Sequence, residues 1–396
     1  MKKTEIINDY SNFILSTYTR TQAIFVKGKG MTLTDIDGKK YLDFFPGWGV
    51  SNVGHCHPKV MSAVRDQIGK LIHIPNNFYH PQQLKLAKEI IRWSFPGKVF
   101  FANSGAEACE AAIKFARAYG AGKRFEIISM ERSFHGRTLG ALSATGQKKY
   151  QNGFSPLVEG FHTVAFNDLD AVKAAITPAT IAVMLELVQG EGGVHIADKK
   201  YVQGLRTLCD EKNLLLIFDE VQTGIGRTAE MFAFKHYGVT PDIMILAKSL
   251  GGGLPIGVMV VKKELGDTFK PGMHASTFGG SPLVCKAALG VLSAIEKGKM
   301  LKNAKKMGDY AAQKLAQLKE KCPCVTDVRS LGLMIGIELN IEGKTIVEEC
   351  LKRGLVINCT QGNILRIMPA LDVTKKQMDK AFAIMASAIE TVTAKI

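Results

Sequence analysis

Two ionisable side chains of opposite charge follow separate apolar runs in the middle of the chain. Asp219 comes directly after the run 214–218, and Lys248 follows the run 243–246. We expect a lysine that is partly removed from water at such a position to lose its proton more easily. A neutral amine can condense with an aldehyde, so Lys248 is a candidate for a Schiff base. Taken alone, the two residues could equally form a structural ion pair.

A candidate phosphate site follows the apolar run 98–101. Ser104 is a plausible cap for the helical stretch that begins at Ala106, and the free backbone N–H groups at a helix start bind phosphate. A capped helix without any ligand explains the same residues. The segment is not a nucleotide P-loop, because no Gly-Lys-Ser/Thr follows at the required spacing.

Two further apolar runs are followed by groups that suit a flat ring and a carboxylate. Phe134, Gly136 and Arg137 occur together after one of them, and Glu191 lies between glycines after the other. An aromatic ring could stack on a ligand beside an arginine that binds a carboxylate, although a lone Phe is usually core and a lone Arg usually surface. Together these groups, the phosphate site, the acid and the lysine are what pyridoxal phosphate requires.

Short apolar runs alternate with amphipathic helical stretches and predict the frame that positions these residues. Nearly all-apolar runs are typical of strands buried on both faces of a sheet. Their alternation with helices predicts an α/β fold with a mostly parallel central sheet flanked by helices, and ligands bind at the carboxyl ends of such strands. The predicted strands are 98–101, 126–129, 181–185, 214–218 and 243–246, and helices are predicted at 106–119 and 200–212.

The two ends of the chain differ from this alternation. Residues 30–45 read as a β-hairpin around Asp37-Gly38, a strong turn signal. After residue 281, helical stretches at 284–297 and 301–319 and a strand-like run at 333–339 predict a smaller α+β domain. We therefore expect three parts: an N-terminal segment (1–55) packing with the small domain, a large cofactor-binding domain (56–280) and a C-terminal small domain (281–396).

The composition is that of a globular protein, with 46% hydrophobic and 22% charged residues. The net charge of +15 raises the possibility of nucleic-acid binding, but the lysines are scattered and no nucleic-acid-binding signature accompanies them. The eight cysteines lack zinc-site spacing, and His55-Cys56-His57 lacks further ligands, so no metal is expected. No apolar run is long enough to cross a bilayer. A signal peptide would need an apolar segment after the charged start at residues 1–3, but polar residues interrupt that segment. We therefore expect a cytoplasmic protein.

Six motifs in a fixed order give the chain a family resemblance over essentially its whole length. It resembles class III (subgroup II) aminotransferases, and most closely the acetylornithine aminotransferase group. The resemblance implies the fold type I of pyridoxal-phosphate-dependent transferases, with pyridoxal 5'-phosphate as cofactor and a homodimer with shared active sites. The motifs are NSGAEA (103–108), SFHGRT (133–138), QGEGG (189–193), FDEVQTG (218–224), AKSLGGG (247–253) and STFGG (276–280).

The resemblance also implies a reaction. The terminal amino group of N2-acetylornithine would pass to 2-oxoglutarate, giving N-acetylglutamate 5-semialdehyde and glutamate in arginine biosynthesis. Ornithine, succinyldiaminopimelate, succinylornithine and 4-aminobutyrate remain alternative donors. A binding protein that keeps the fold without catalysis is an alternative of another class, and intact Lys248, Asp219 and Arg366 argue against it.

By the same resemblance, Lys248 would hold the cofactor covalently and Asp219 would pair with its pyridine nitrogen. The other cofactor contacts would come from Ser104, Gly105 and Ala106 to the phosphate, Phe134 to the ring face, Gln222 to the ring oxygen and Thr277 to the phosphate of the neighbouring subunit. Substrate contacts would come from Arg137 to the donor carboxylate, Arg366 to the α-carboxylate of glutamate or 2-oxoglutarate, Glu191 as the cover of Arg366, and Tyr18 and Trp48 near the entrance. Trp48 stands where the acetylornithine group usually has a small aliphatic residue.

Overall fold

The structure, a computed structural model, describes residues 3–394. The first two residues of the expected segment 1–55 and the last two of 281–396 therefore lie outside the described residues. The α-helices are α1 (Lys3–Phe13), α2 (Pro58–Ile68), α3 (Pro81–Trp93), α4 (Gly105–Tyr119), α5 (Leu139–Ala144), α6 (Lys148–Gln151), α7 (Leu169–Ala175), α8 (Lys199–Lys212), α9 (Pro282–Lys297), α10 (Met300–Lys321), α11 (Lys344–Lys352) and α12 (Lys375–Thr393). The strands are β1 (Phe25–Lys29), β2 (Thr32–Asp35), β3 (Lys40–Asp43), β4 (Gly97–Ala102), β5 (Glu126–Met130), β6 (Phe161–Val164), β7 (Thr180–Glu186), β8 (Val188–Gln189), β9 (His195–Ile196), β10 (Leu215–Asp219), β11 (Ile243–Leu246), β12 (Gly257–Lys262), β13 (Val325–Leu331), β14 (Met334–Leu339), β15 (Leu355–Val356), β16 (Asn358–Thr360) and β17 (Ile364–Ile367).

A seven-stranded sheet forms the centre of the fold, in the order β4-β12-β11-β10-β7-β5-β6. The strands β11, β10, β7, β5 and β6 pair in parallel, whereas β12 runs antiparallel to both β11 and β4. The prediction of a mostly parallel sheet is confirmed. Within residues 3–394, no helix is long and apolar enough to cross a membrane.

The register of the sheet brings the strand ends that carry the candidate site residues to one edge. Asp219, the last residue of β10, pairs with Glu186 at the end of β7 on one side and with Ile245 of β11 on the other. Lys248 lies three positions after Ile245 in the chain. The acid and the lysine singled out from the sequence are therefore neighbours because parallel strands end at the same edge.

Alternate residues of the central strands pack into two hydrophobic clusters, one on each face of the sheet. Ile217 belongs to the cluster that includes Ile113 and Phe115 of α4, whereas Leu216 belongs to the cluster that includes Val202 of α8. Burial on both faces explains why the sequence of each strand is continuously apolar.

The two ends of the chain meet in a second sheet, with the order β1-β2-β3-β15. The predicted hairpin forms between β2 and β3, and Gly38 in its turn has a φ of +85°. Strand β15 adds to β3 in parallel, pairing Leu355 with Leu42. A third sheet, β13-β14-β17-β16, carries Arg366 on β17. The division at residues 55 and 280 stays a prediction, which the pairing of β3 with β15 supports.

Candidate active site

A cavity of about 760 Å³ lies at the carboxyl edge of the central sheet. Eleven of the thirteen site residues predicted from the sequence line it, although they come from separate parts of the chain. They are Tyr18, Trp48, Ser104, Gly105, Ala106, Phe134, Arg137, Glu191, Asp219, Gln222 and Lys248. The other two are Arg366, which lies behind Glu191, and Thr277, which lies elsewhere on the same chain.

Lys248 begins a short 3₁₀ segment after β11 and has a left-handed backbone, with a φ of +44°. Among the described residues its amino group has no hydrogen-bond or ion-pair partner. Burial lowers the pKa of Lys248, and the positive charge of Arg366 lowers it further. The side chain therefore offers the cavity an amine that loses its proton readily.

Asp219 is buried and held by three donors. Its Oδ1 accepts from the backbone N–H of Val221 at 3.0 Å, and its Oδ2 lies 2.8 Å from His135 Nδ1 and 3.7 Å from Cys109 Sγ. Burial and the charge of Asp219 raise the pKa of the Cys109 thiol well above its ordinary value, so the thiol stays a donor. This carboxylate is positioned to keep a pyridine nitrogen protonated.

Sequence reasoning assigned no role to His135 or Cys109. His135 is part of the SFHGRT motif, which was the available signal for it. Cys109 lies one turn into α4, inside an apolar stretch, and nothing in its surroundings in the sequence marks it.

The start of α4 is where the sequence predicts a phosphate cradle, and the contact with a phosphate stays a prediction. Ser104 caps the helix, since its Oγ accepts from the backbone N–H of Glu107 at 3.2 Å. In the part of the chain that the structure describes, no protein group accepts from the backbone N–H of Gly105 or Ala106. Gly136 packs closely here, because a Cβ on it would lie 2.8 Å from the Cβ of Ala106. Free N–H groups at a helix start suit a phosphate.

We expect Gly136→Ala to weaken binding of pyridoxal phosphate by about tenfold, because overpacking typically costs about 1–3 kcal/mol. Gly136 also has a φ of +143°, which residues with a side chain rarely adopt. Gly253→Ala is the matched control: Gly253 lines the same cavity with a φ of +114°, but a Cβ there would meet nothing within 4 Å. Equilibrium titration of both apo-variants with the cofactor measures the difference. Equal losses in the two variants would contradict a role for the close packing.

Glu186 joins two of the predicted motifs. Its Oε1 accepts from the backbone N–H of Phe134 at 2.7 Å and its Oε2 from that of Gly190 at 3.0 Å. Burial raises the pKa of Glu186 to about 7. This residue positions Phe134, which together with Val221 gives the cavity apolar walls suited to a flat ring.

Gln222 makes a different contact from the one expected from the sequence. Its Nε2 donates to the carbonyl oxygen of Trp48 at 3.1 Å, and its Oε1 is buried without a partner among residues 3–394. Trp48 has a left-handed backbone (φ +57°) between Gly47 and Gly49, and half of its surface is exposed at the cavity. The contact of Gln222 with a ring oxygen stays a prediction.

Glu191 separates Arg366 from the cavity. The Oε2 of Glu191 lies 2.9 Å from Nη2 of Arg366, which is almost fully buried and also donates to Asn358 Oδ1. Burial acts to raise the pKa of Glu191, but the charge of Arg366 and the hydrogen bonds from Tyr150 and Arg366 together hold the pKa below its ordinary value. Because Arg366 is buried, removing Glu191 from it is costly unless another carboxylate takes its place.

Thr277 is exposed and does not line the cavity of its own chain. It follows Ser276, whose Oγ accepts from Asn103 Nδ2 at 3.1 Å, so the STFGG segment is fixed next to the phosphate cradle. Its contact with the phosphate of a neighbouring subunit stays a prediction.

The donor set of the cavity fits pyridoxal phosphate. Its aldehyde, ring nitrogen, phosphate and ring face require an amine, a carboxylate, N–H groups and an apolar wall. The cavity offers all of these, and within residues 3–394 the amine and the two N–H groups at the helix start have no other partner.

Comparison with known proteins agrees with this chemistry. The family model of class-III aminotransferases matches residues 14–389. The chain is 53% identical to the acetylornithine aminotransferase of Methanocaldococcus jannaschii over 92% of this chain and 93% of that protein. It is 48% identical to the acetylornithine aminotransferase of Caldanaerobacter subterraneus subsp. tengcongensis, over 94% and 96% respectively. The ornithine aminotransferase structure from Toxoplasma gondii ME49 superposes with a TM-score of 0.96 at 29% identity, covering 100% of this chain and 97% of the other.

The predicted fold type I of pyridoxal-phosphate-dependent transferases is therefore confirmed. On the extent of the family match and of the identity to these relatives, the chain belongs to the class-III aminotransferases.

Proposed function

We propose that this enzyme transfers the terminal amino group of N2-acetylornithine to 2-oxoglutarate, giving N-acetylglutamate 5-semialdehyde and glutamate in arginine biosynthesis. The observation that carries the proposal is the Glu191–Arg366 pair, whose glutamate lines the same cavity as Lys248 and covers the arginine behind it. The names of the similar proteins in Methanocaldococcus and Caldanaerobacter support the choice of donor. We further propose a cytoplasmic homodimer with shared active sites, to which Thr277 contributes.

Pyridoxal phosphate, when bound, supplies an aldehyde carbon that takes up the amino group and a ring that accepts electrons from the reacting bond. The backbone N–H groups of Gly105 and Ala106 would hold the phosphate, and Phe134 would cover the ring. Asp219 would keep the ring nitrogen protonated, because this carboxylate is buried and its lone pairs are oriented by Val221 and His135.

Lys248 acts as the base. Its low pKa leaves Nζ able to take a proton from the carbon that bears the donor's amino group. The absence of another partner for Nζ within residues 3–394 leaves the amine free to move between anchoring the cofactor and carrying that proton.

Arg366 and Glu191 let one cavity accept two unlike substrates. With Glu191 on Arg366, the second carboxylate site is neutralised, and a donor whose reacting carbon bears no carboxylate fits. When glutamate or 2-oxoglutarate binds, its carboxylate replaces Glu191 on the guanidinium. Arg137, exposed at the cavity, is free to hold the remaining carboxylate.

We expect Glu191→Ala to raise kcat/KM for glutamate relative to N2-acetylornithine by about tenfold, which corresponds to about 1.4 kcal/mol. Arg366 would then stay uncovered in both half-reactions. Asp327→Ala is a suitable control, because it also removes a carboxylate partner of an arginine, Arg329, which lies away from the cavity and also pairs with Glu338. Single half-reactions with each donor give the ratio, and a ratio that does not change would refute the covering role of Glu191.

A donor panel tests the proposed substrate directly. Cofactor-loaded protein is mixed with N-acetylornithine, ornithine, succinyldiaminopimelate, 4-aminobutyrate or glutamate, and the loss of the visible absorbance of the lysine-linked cofactor is followed. Fast reaction with N-acetylornithine and glutamate alone supports the proposal. Preference for another basic donor would replace it.

Free ornithine is the second candidate, and the cavity entrance is the reason. Tyr18 and Trp48 both line it, with ring centroids 6.3 Å apart. An aromatic pair in this place narrows the room for an acyl group. Preference for ornithine in the panel would therefore indicate that Trp48 is the residue that changes the substrate specificity.

A further inference from the structure

Tyr150, in the short helix α6, contacts both Arg137 and Glu191, the residue that covers Arg366. Its hydroxyl donates to Glu191 Oε1 at 2.9 Å, while the other oxygen of the same carboxylate faces Arg366. Its ring lies under the guanidinium of Arg137, whose carbon is 4.1 Å from the ring centroid, and meets Phe134 edge-on at 5.6 Å. No role was assigned to this tyrosine from the sequence.

The backbone of Glu191 is fixed independently of its side chain. The carbonyl oxygen of Glu191 accepts from Thr360 Oγ1 and from Gln361 Nε2, each at 2.6 Å. The carboxylate can therefore leave Arg366 only by rotation of the side chain. With the backbone held, the contacts that resist this rotation are those of the two carboxylate oxygens: Arg366 on Oε2, and Tyr150 with a longer contact from Thr360 (3.4 Å) on Oε1.

The hydroxyl of Tyr150 remains a donor at neutral pH. Burial and the charge of Glu191 raise the pKa of Tyr150 to about 12. Since Glu191 stays ionised beside Arg366, the contact is a hydrogen bond to a charged acceptor, which is stronger than one between neutral groups.

We propose that Tyr150 is a positioning residue that holds Glu191 on Arg366 and so sets how readily the enzyme exchanges a basic donor for an acidic one. The proposal rests on the proposed function, in which Glu191 must leave Arg366 between the two half-reactions. Tyr150 favours the covered state because its hydrogen bond holds one oxygen of the carboxylate while Arg366 holds the other.

Tyr150→Phe isolates the hydroxyl, since phenylalanine keeps the ring under Arg137 and against Phe134. In the holoenzyme we expect kcat/KM for glutamate to rise about fivefold relative to that for N2-acetylornithine. This is the size of effect expected when one hydrogen bond is lost. The change should appear mainly as a lower KM for glutamate and 2-oxoglutarate, and the visible spectrum of the bound cofactor should not change. Tyr237→Phe is the control, because it removes another buried hydroxyl, which donates to the carbonyl oxygen of Leu187 at 3.2 Å.

A double-mutant comparison separates this role from a general structural one. If Tyr150 acts through Glu191, Tyr150→Phe should produce no further change in the donor ratio in the Glu191→Ala background. An unchanged ratio in the single variant, or an equal shift in both backgrounds, would overturn the proposal. If the wild-type enzyme rejects N2-acetylornithine, the substrate assignment fails, and the same ratios measured with its preferred basic donor still decide the role of Tyr150.

Discussion

Replacing Lys248 with alanine is expected to abolish steady transamination, lowering kcat by at least about 10,000-fold. The variant loses both the anchoring amine and the base, and general-base catalysis alone is worth about 100- to 10,000-fold. Lys248 has no structural partner among the described residues, so the protein should still fold and bind the cofactor non-covalently. Steady-state rates with N2-acetylornithine and 2-oxoglutarate measure the first outcome, and the visible spectrum with cofactor titration measures the second.

Lys262→Ala is the appropriate control for this variant. Lys262 ends strand β12 of the same sheet, but its amino group pairs with Asp242 at 2.7 Å, away from the cavity. We expect it to affect stability without a comparable loss of turnover. Turnover by Lys248→Ala within a few-fold of the wild type would exclude the assignment of this lysine.

The second large effect is expected from Asp219→Asn, which keeps the size of the side chain and removes its charge. We expect kcat to fall about 1,000-fold, the upper range for removing one preorganised electrostatic contact. An amide cannot stabilise a protonated ring nitrogen as a carboxylate does, so the ring accepts electrons less well. Single half-reactions with a saturating donor give the rate of the chemical step without product release.

Asp242→Asn distinguishes this effect from the general cost of neutralising a buried acid. Asp242 pairs with Arg206 and Lys262 and accepts from the backbone N–H of Leu216. The Asp242→Asn substitution should lower the free energy of unfolding, while the half-reaction rate stays close to that of the wild type. A rate for Asp219→Asn within about tenfold of the wild type would contradict the proposed role of Asp219.

Most of the cavity could be predicted because its residues follow strands. Ser104, Phe134, Glu191, Asp219 and Lys248 are far apart in the sequence, but parallel strands end at one edge of a sheet, and that topology is legible in the alternation of apolar runs and helices. The same reasoning predicts that these residues meet without predicting any particular contact between them.

Arg366 and Thr277 could be assigned only through the family resemblance. Arg366 lies within a buried strand of another sheet, 175 residues after the glutamate that it pairs with. Thr277 lies in an exposed loop, where a threonine is unremarkable. No local periodicity connects either residue to the central sheet.

Strand β12 was missed for a topological reason. It follows the glycine-rich segment 251–253 after only three residues, which leaves no room for a crossover helix, so the strand–helix alternation does not predict it. A short return of this kind requires an antiparallel strand, and β12 is antiparallel to both of its neighbours. Cys109 was missed because a hydrogen bond from a thiol inside a helix has no sequence signature.

Because the backbone of Lys248 is left-handed, selection for catalysis and selection for heat resistance favour different residues at this position. A non-glycine residue in this conformation costs about 1–3 kcal/mol, and the enclosed amine adds a desolvation cost. A glycine at position 248 would relieve both costs. A laboratory selection that rewards thermal tolerance alone would therefore tend to discard this lysine, and libraries built for stabilisation should keep it fixed.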